Sequence, residues 1–146
     1  MLRAFTVVCV IGTLLAGCKT GPQKLEPASL PPNPGIVTPG ADVPAESAAF
    51  SGVWAGTWGS DLDGKLAVQT IQPDGKVRAI YAWGDHSGGR FTAGSTEASG
   101  QINDGTLTLD TFGNGANVSY TMTTETSLKG TYRNGGNTST GVFTKQ

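Results

Sequence analysis

The sequence predicts an all-β fold: an eight-stranded antiparallel up-and-down barrel, with a two-sheet β-sandwich as the alternative. Three observations carry this. From residue 61 onward, turn-forming groups such as Asn103-Asp104-Gly105 and Gly113-Asn114-Gly115 recur at short intervals. Between them apolar and polar residues alternate, the period of a strand with one buried face. Nothing in this region reads as a helix able to cover the resulting sheet. Composition agrees, with 22 glycines and only 14% charged residues in 146. Such a chain favours turns and strands over helices.

Residues 1–17 open the chain as a targeting segment. Arg3 precedes an apolar run from Ala4 to Ala16, and small residues follow. This is the pattern of a secretory signal peptide, and the run is shorter than the roughly 20 apolar residues of a membrane span. Leu15-Ala16-Gly17-Cys18 resembles the lipobox of bacterial lipoproteins. That resemblance implies cleavage before Cys18, lipid on its sulfur, and acylation of the new amino group. Small residues before the cut let a peptidase close on the backbone, and a thiolate is a strong nucleophile. By the same resemblance Lys19, where an aspartate commonly retains such proteins at the inner membrane, implies attachment to the outer membrane, on its periplasmic face.

Residues 18–49 follow as the lipidated cysteine and a disordered Pro-rich tether. Seven of the eight prolines lie here, densest at Pro31-Pro32-Asn33-Pro34. Proline removes donors and holds the chain extended. Fully extended, such a tether spans up to roughly 90 Å.

The barrel domain is expected over residues 50–146. The turn signals divide it into strands near 53–59, 65–72, 76–83, 90–102, 106–112, 116–123, 127–133 and 138–145. Asp61-Leu62-Asp63-Gly64 reads as the first turn, and Asp-Gly and Asn-Gly supply the positive φ that tight hairpins need. Gly94 and Gly100 are candidates for a break or bulge in the fourth strand. Trp54 and Trp58 share a face, as do Leu66 and Val68, then Val77, Ala79, Tyr81 and Trp83, then Val118, Tyr120 and Met122, then Leu128, Gly130 and Tyr132. Gln69, Arg78, Asn117, Lys129 and Arg133 occupy the other face. Consecutive hairpins with one apolar face bury it by curling, and closure removes the sticky edges.

Gly52-Val53-Trp54-Ala55-Gly56-Thr57-Trp58 resembles the first strand of the lipocalin and avidin superfamily, whose strand-one tryptophan lies at a barrel end. Leu128-Lys129-Gly130-Thr131-Tyr132 and Gly141-Val142-Phe143-Thr144-Lys145 share an avidin-like rhythm. No ligand-binding residue of those proteins can be placed on this sequence.

Function classes narrow by elimination. Loss of Arg3 leaves nine basic against eleven acidic side chains, a net charge of −2. No basic field exists to draw nucleic acid. One histidine and no cysteine in the domain fall short of the usual zinc sets, and Asp61 and Asp63 beside Gly64 are only a fragment of a calcium loop. No metal or other cofactor is expected. Asp85-His86-Ser87 are adjacent, and adjacent residues do not converge into a triad. No catalytic residue is assigned, and hydrolysis is a distant third reading. The first is a non-catalytic envelope lipoprotein whose barrel binds a partner protein or serves a structural or inhibitory role. The second is a small-ligand carrier or sensor. Candidate binding residues are Trp54, Trp58, Tyr81 and Trp83 inside, with Asp85, His86 and Arg90 at the mouth. Trp54 is further expected to pack at the end where the chain enters. A solid core or an enclosed cavity discriminates the first two readings.

Overall fold

The computed structural model describes Gly21 and residues 23–146; the segment 1–17 expected to be a signal peptide, and Cys18, lie outside the described residues. The domain is a closed barrel of eight antiparallel strands in sequence order. These are β1 (Gly52–Trp58), β2 (Leu62–Ile71), β3 (Lys76–Trp83), β4 (Gly94–Asn103), β5 (Thr106–Leu109), β6 (Asn117–Thr124), β7 (Ser127–Asn134) and β8 (Asn137–Lys145). The barrel expectation holds, and the sandwich does not form. Closure is made by β1 on β8, from Trp54 opposite Lys145 to Trp58 opposite Gly141.

The inward face is the one the alternation marks. Trp54, Leu66, Val68, Ala79, Leu107, Tyr120, Leu128 and Phe143 are all within 1% of full burial and form one core with their neighbours. Two local expectations change. Leu62, Asp63 and Gly64 belong to β2, because the β1–β2 hairpin turns tightly through Gly59, at φ 60°, with Trp58 directly opposite Leu62. The fourth strand carries no bulge: Gly94 to Gln101 pair in unbroken register with β3. The irregularities lie between Val68 and Thr70 and between Met122 and Thr124. Gly100 is instead a close-approach position, where a Cβ would stand 2.5 Å from the Thr108 carbonyl oxygen.

The Pro-rich segment lacks strands, as its composition implies, and contains one four-residue helix, α1 (Ala45–Ala48). From Glu26 onward, however, it is laid against the barrel, so this part is a strap and not a free tether. The Glu26 N–H donates to Asp85 Oδ2 and the Ala28 N–H to Asp63 Oδ2, each at 2.8 Å. Further along, Gln69 Nε2 donates to the Pro34 carbonyl at 2.7 Å, and the Val37 N–H to the Gln69 carbonyl at 2.8 Å. The strap thus follows β2 from its start to its end. Ala67, Ile80 and Ala82 lie on the outward parity of β2 and β3, outside the core, and are nevertheless buried. The strap accounts for that burial, and Ala28 on the strap is itself 1% exposed.

The chain then closes one end of the barrel. Val43 and Phe50 join the core cluster. The Trp54 indole N–H donates to the Phe50 carbonyl at 2.8 Å, and Lys145 Nζ donates to the Ala49 carbonyl at 2.9 Å. The Lys145 ammonium also stands 5.1 Å from the Trp54 ring centroid, within cation–π range.

Candidate functional site

The opposite end is open. There the β1–β2, β3–β4, β5–β6 and β7–β8 loops surround a cavity of about 690 Å³. Its wall is aromatic, from Trp58, Tyr81, Trp83, Phe112 and Tyr132, and its rim includes Asp61, His86, Arg90, Phe91, Asn114 and Ser139.

The floor depends on glycine. Trp58 is 3% exposed and contacts Phe143, Tyr120, Tyr132 and Tyr81 at ring-centroid distances of 4.8, 5.8, 6.3 and 6.5 Å. A Cβ on Gly64 would lie 2.7 Å from the indole nitrogen, and one on Gly130 would lie 2.7 Å from the six-membered ring. Glycine at these two inward positions gives the indole room to lie across the barrel. Below it the interior is packed; above it the cavity begins.

Trp83 stacks beside Tyr81 at 5.8 Å, and its N–H donates to the Thr92 carbonyl at 2.9 Å. That bond holds the ring against the wall. Phe112 meets Tyr81 from the other side at 5.2 Å. Burial, aided by the neighbouring Tyr132, pushes the Tyr81 phenol well above its ordinary range, so it stays a protonated hydroxyl. The nearby Trp58 N–H opposes that shift slightly, yet the two are not placed to satisfy the indole. Among the described residues, the Trp58 N–H and the Tyr120 hydroxyl are buried without a hydrogen-bond partner. Such groups cost about 1–3 kcal/mol each.

The rim is polar and held by short local bonds. His86 Nδ1 accepts the Gly88 N–H at 2.8 Å, which leaves Nε2 carrying the proton. Its ring meets Phe91 edge-on at 5.1 Å. Ser87 Oγ donates to Asp61 Oδ2 at 2.6 Å, so Asp85, His86 and Ser87 face three different partners. Arg90 is exposed and forms no ion pair among the described residues.

Of the seven residues singled out from sequence, five line the cavity: Trp58, Tyr81, Trp83, His86 and Arg90. Trp54 does not, since it is fully buried in the closed end. Asp85 does not line it either. Its carboxylate accepts from the backbone N–H groups of Glu26 and Ala93, which hold its pKa below the usual carboxylate range. It joins the strap to the loop that carries His86, Arg90 and Phe91. Asp63 has the same role toward Ala28. Among the described residues no three His, Cys, Asp or Glu side chains converge.

Phe112 and Phe91 are the cavity residues that the sequence reading missed. Phe112 is out of phase with the alternation of Leu107 and Leu109, because β5 ends at Leu109 and the chain turns before it. Phe91, expected within the fourth strand over 90–102, lies in the β3–β4 loop instead, because β4 starts only at Gly94, and in a loop periodicity carries no information. Tyr132 was readable as inward-facing, but nothing in the strand pattern separates a cavity wall from a packed core.

No protein-family model matches the chain. No curated protein sequence matches it. Among solved structures the chain is similar to designed barrels. A de novo designed fluorescence-activating β-barrel is 16% identical, with a TM-score of 0.53, covering 71% of this chain and 100% of the design. The redesigned barrel mFAP1, solved bound to DFHBI, is 14% identical at a TM-score of 0.54, covering 70% and 100%. The redesigned barrel mFAP0, also bound to DFHBI, is 19% identical at 0.52, covering 66% and 99%. At this identity the likeness establishes the fold: a small, closed, eight-stranded up-and-down β-barrel.

Proposed function

We propose that this protein is a non-catalytic envelope lipoprotein that captures a small apolar, ring-bearing molecule in the open end of its barrel. One observation carries the reading. The barrel is sealed at one end and retains an aromatic-walled cavity of about 690 Å³ at the other. That volume lies within the usual range for small-molecule sites, about 300–1,000 Å³. The sparse polar groups fit the same purpose: His86 and Arg90 at the rim can orient a ligand whose rings pack on Tyr81 and Trp83. Structural neighbours solved with DFHBI bound support the idea by analogy of fold.

Titration with the neutral dye N-phenyl-1-naphthylamine tests the reading. Wild-type protein is expected to enhance and blue-shift its fluorescence. Trp83→Ala should weaken capture about tenfold, equivalent to about 1.4 kcal/mol, while the far-ultraviolet circular dichroism spectrum is unchanged. A wild-type barrel that leaves the dye dark overturns it.

The alternative, capture of a partner protein on the outer wall, has Val142 in its favour, 63% exposed on β8. A single aliphatic side chain is little anchor for a stable interface. A pull-down from detergent-solubilised envelope, analysed for proteins and small molecules, separates the two.

The address belongs to the same proposal. Lipid on Cys18 holds the barrel to a membrane, and Lys19 favours the outer one. Cys18→Ser should accumulate as an unprocessed, unlipidated precursor, read by mass spectrometry. Lipid still present on the serine variant would refute it.

A further inference from the structure

The strap brings the chain to the barrel at its mouth. Glu26 is bonded to Asp85 through both its N–H and its carbonyl, and two residues later Ala28 is bonded to Asp63. Among the described residues, the hydrogen bonds at Glu26 are the first that tie the strap to the barrel, and they lie at the rim. Seven residues lie between Cys18 and Glu26, and the eight steps along the chain reach at most about 28 Å at full extension. Ten-residue strands such as β2 and β4, tilted as in small barrels, stand roughly 25 Å tall. For the closed end to meet a membrane, those seven residues would have to run back along almost the whole barrel.

The exposed side chains divide in the same way. Leu25 and Phe91, each 42% exposed, lie at the mouth with Lys24 and Arg90 beside them in sequence. Carboxylates are present there too: Glu26, Asp61, Asp63, Asp85 and Asp110, and the hydrogen bonds that Asp61, Asp63 and Asp85 accept leave them charged. The closed end presents Asp42, Glu46, Asp74, Asp104 and Glu125 against Lys76 and Lys145, so charge is similar at the two ends and it is the exposed apolar side chains that divide. Lys76 is paired with Asp74, and Lys145 is turned onto Trp54 and Ala49. Its turns offer no large exposed apolar side chain; Ile36 and Val37 lie on the flank, along the strap.

We propose that the mouth end is the surface that meets a phospholipid bilayer. Leu25 and Phe91 enter the headgroup region, Lys24 and Arg90 meet its phosphates, and the cavity opens onto the lipid. Apolar side chains flanked by cations are what an interfacial surface uses. This inference rests on the lipid anchor at Cys18 proposed above.

The test is tryptophan quenching. The full chain carrying its own lipid is reconstituted into vesicles of phosphatidylethanolamine and phosphatidylglycerol with brominated acyl chains. Phe91→Trp reports the mouth and Glu125→Trp the closed end. The tryptophan at position 91 is expected to be quenched at least twofold beyond the wild-type background, and that at position 125 not at all. Quenching at 125 and not at 91, or at neither in protein that floats with the vesicles, overturns the orientation. Protein that does not float refutes the natural anchor instead. The same variants, with Cys9→Ser and a maleimide phospholipid coupled at Cys18, then decide the orientation alone.

Discussion

Trp54 and Trp58 point inward from one strand, four residues apart, and do different work. Trp54 is fully buried and its N–H is satisfied by Phe50, so it is a structural bolt in the closed end. Trp54→Ala is expected to cost about 3–5 kcal/mol, which should lower the melting temperature by more than about 10 °C. His86→Ala and Arg90→Ala, on the exposed rim, should each stay within about 0.5 kcal/mol of wild type. Thermal melts of the three variants check both statements. The buried phenols supply a second prediction. Burial raises the pKa of Tyr81, and burial with nearby Tyr81 raises that of Tyr120. A raised folded pKa means stability that is complete below the ordinary tyrosine pKa of about 10 and is lost as pH rises beyond it. The barrel should therefore unfold at strongly alkaline pH, with phenolate absorbance and loss of strand signal appearing together. Phenolate from Tyr81 and Tyr120 well before unfolding would contradict this burial. At this scale the sequence was informative about direction and silent about depth. Alternation placed Trp54, Trp58, Tyr81 and Tyr132 inside. It could not tell that Gly64 and Gly130 let one indole lie crosswise and divide a packed half from an open one.

The strap is the element that pattern reading understated. Its prolines read as a spacer because they carry no period, but the same lack of donors suits a segment crossing a wall without joining the sheet. Its attachments join residues 32 to 59 apart in sequence, which no local pattern encodes. The buried Ala67, Ile80 and Ala82 were a faint signal, being apolar on the face that alternation gives to solvent. A fragment of residues 50–146 should still form strand but be less stable than one of residues 24–146. Exposing Ile80 and losing Val43 alone account for about 3 kcal/mol or more, at about 1.5–3 kcal/mol per large side chain. Chemical denaturation of the two fragments measures the difference; equal midpoints would return the strap to the status of a spacer. Acid should loosen its upper end. The depressed pKa of Asp85 means that its contribution is whole above the ordinary carboxylate range and fades as pH falls through the lower folded value. Proteolytic cleavage after Lys24 should accelerate over that interval in wild type, and Asp85→Ala should already cleave quickly at neutral pH.

The whole molecule was the most legible level. Eight strands, their order and most of their limits follow from turn chemistry and alternation, because each hairpin is a local decision and closure is the shared way to bury one apolar face. The closed sheet also has a seam with a consequence for time. Trp54 lies opposite Lys145 and Trp58 opposite Gly141, so the first strand to be made pairs with the last. Every other ladder joins neighbours in the chain and can zip early. The seam must wait for the most distant pairing in the domain, the kind of contact that slows folding. Until residues near 145 are present, the chain is an open sheet with two bare edges and no lid over Trp54. If the chain is exported from its N-terminus, as the proposed lipid anchor requires, it stays unlocked throughout transit and becomes a barrel only once its final strand has reached the far side.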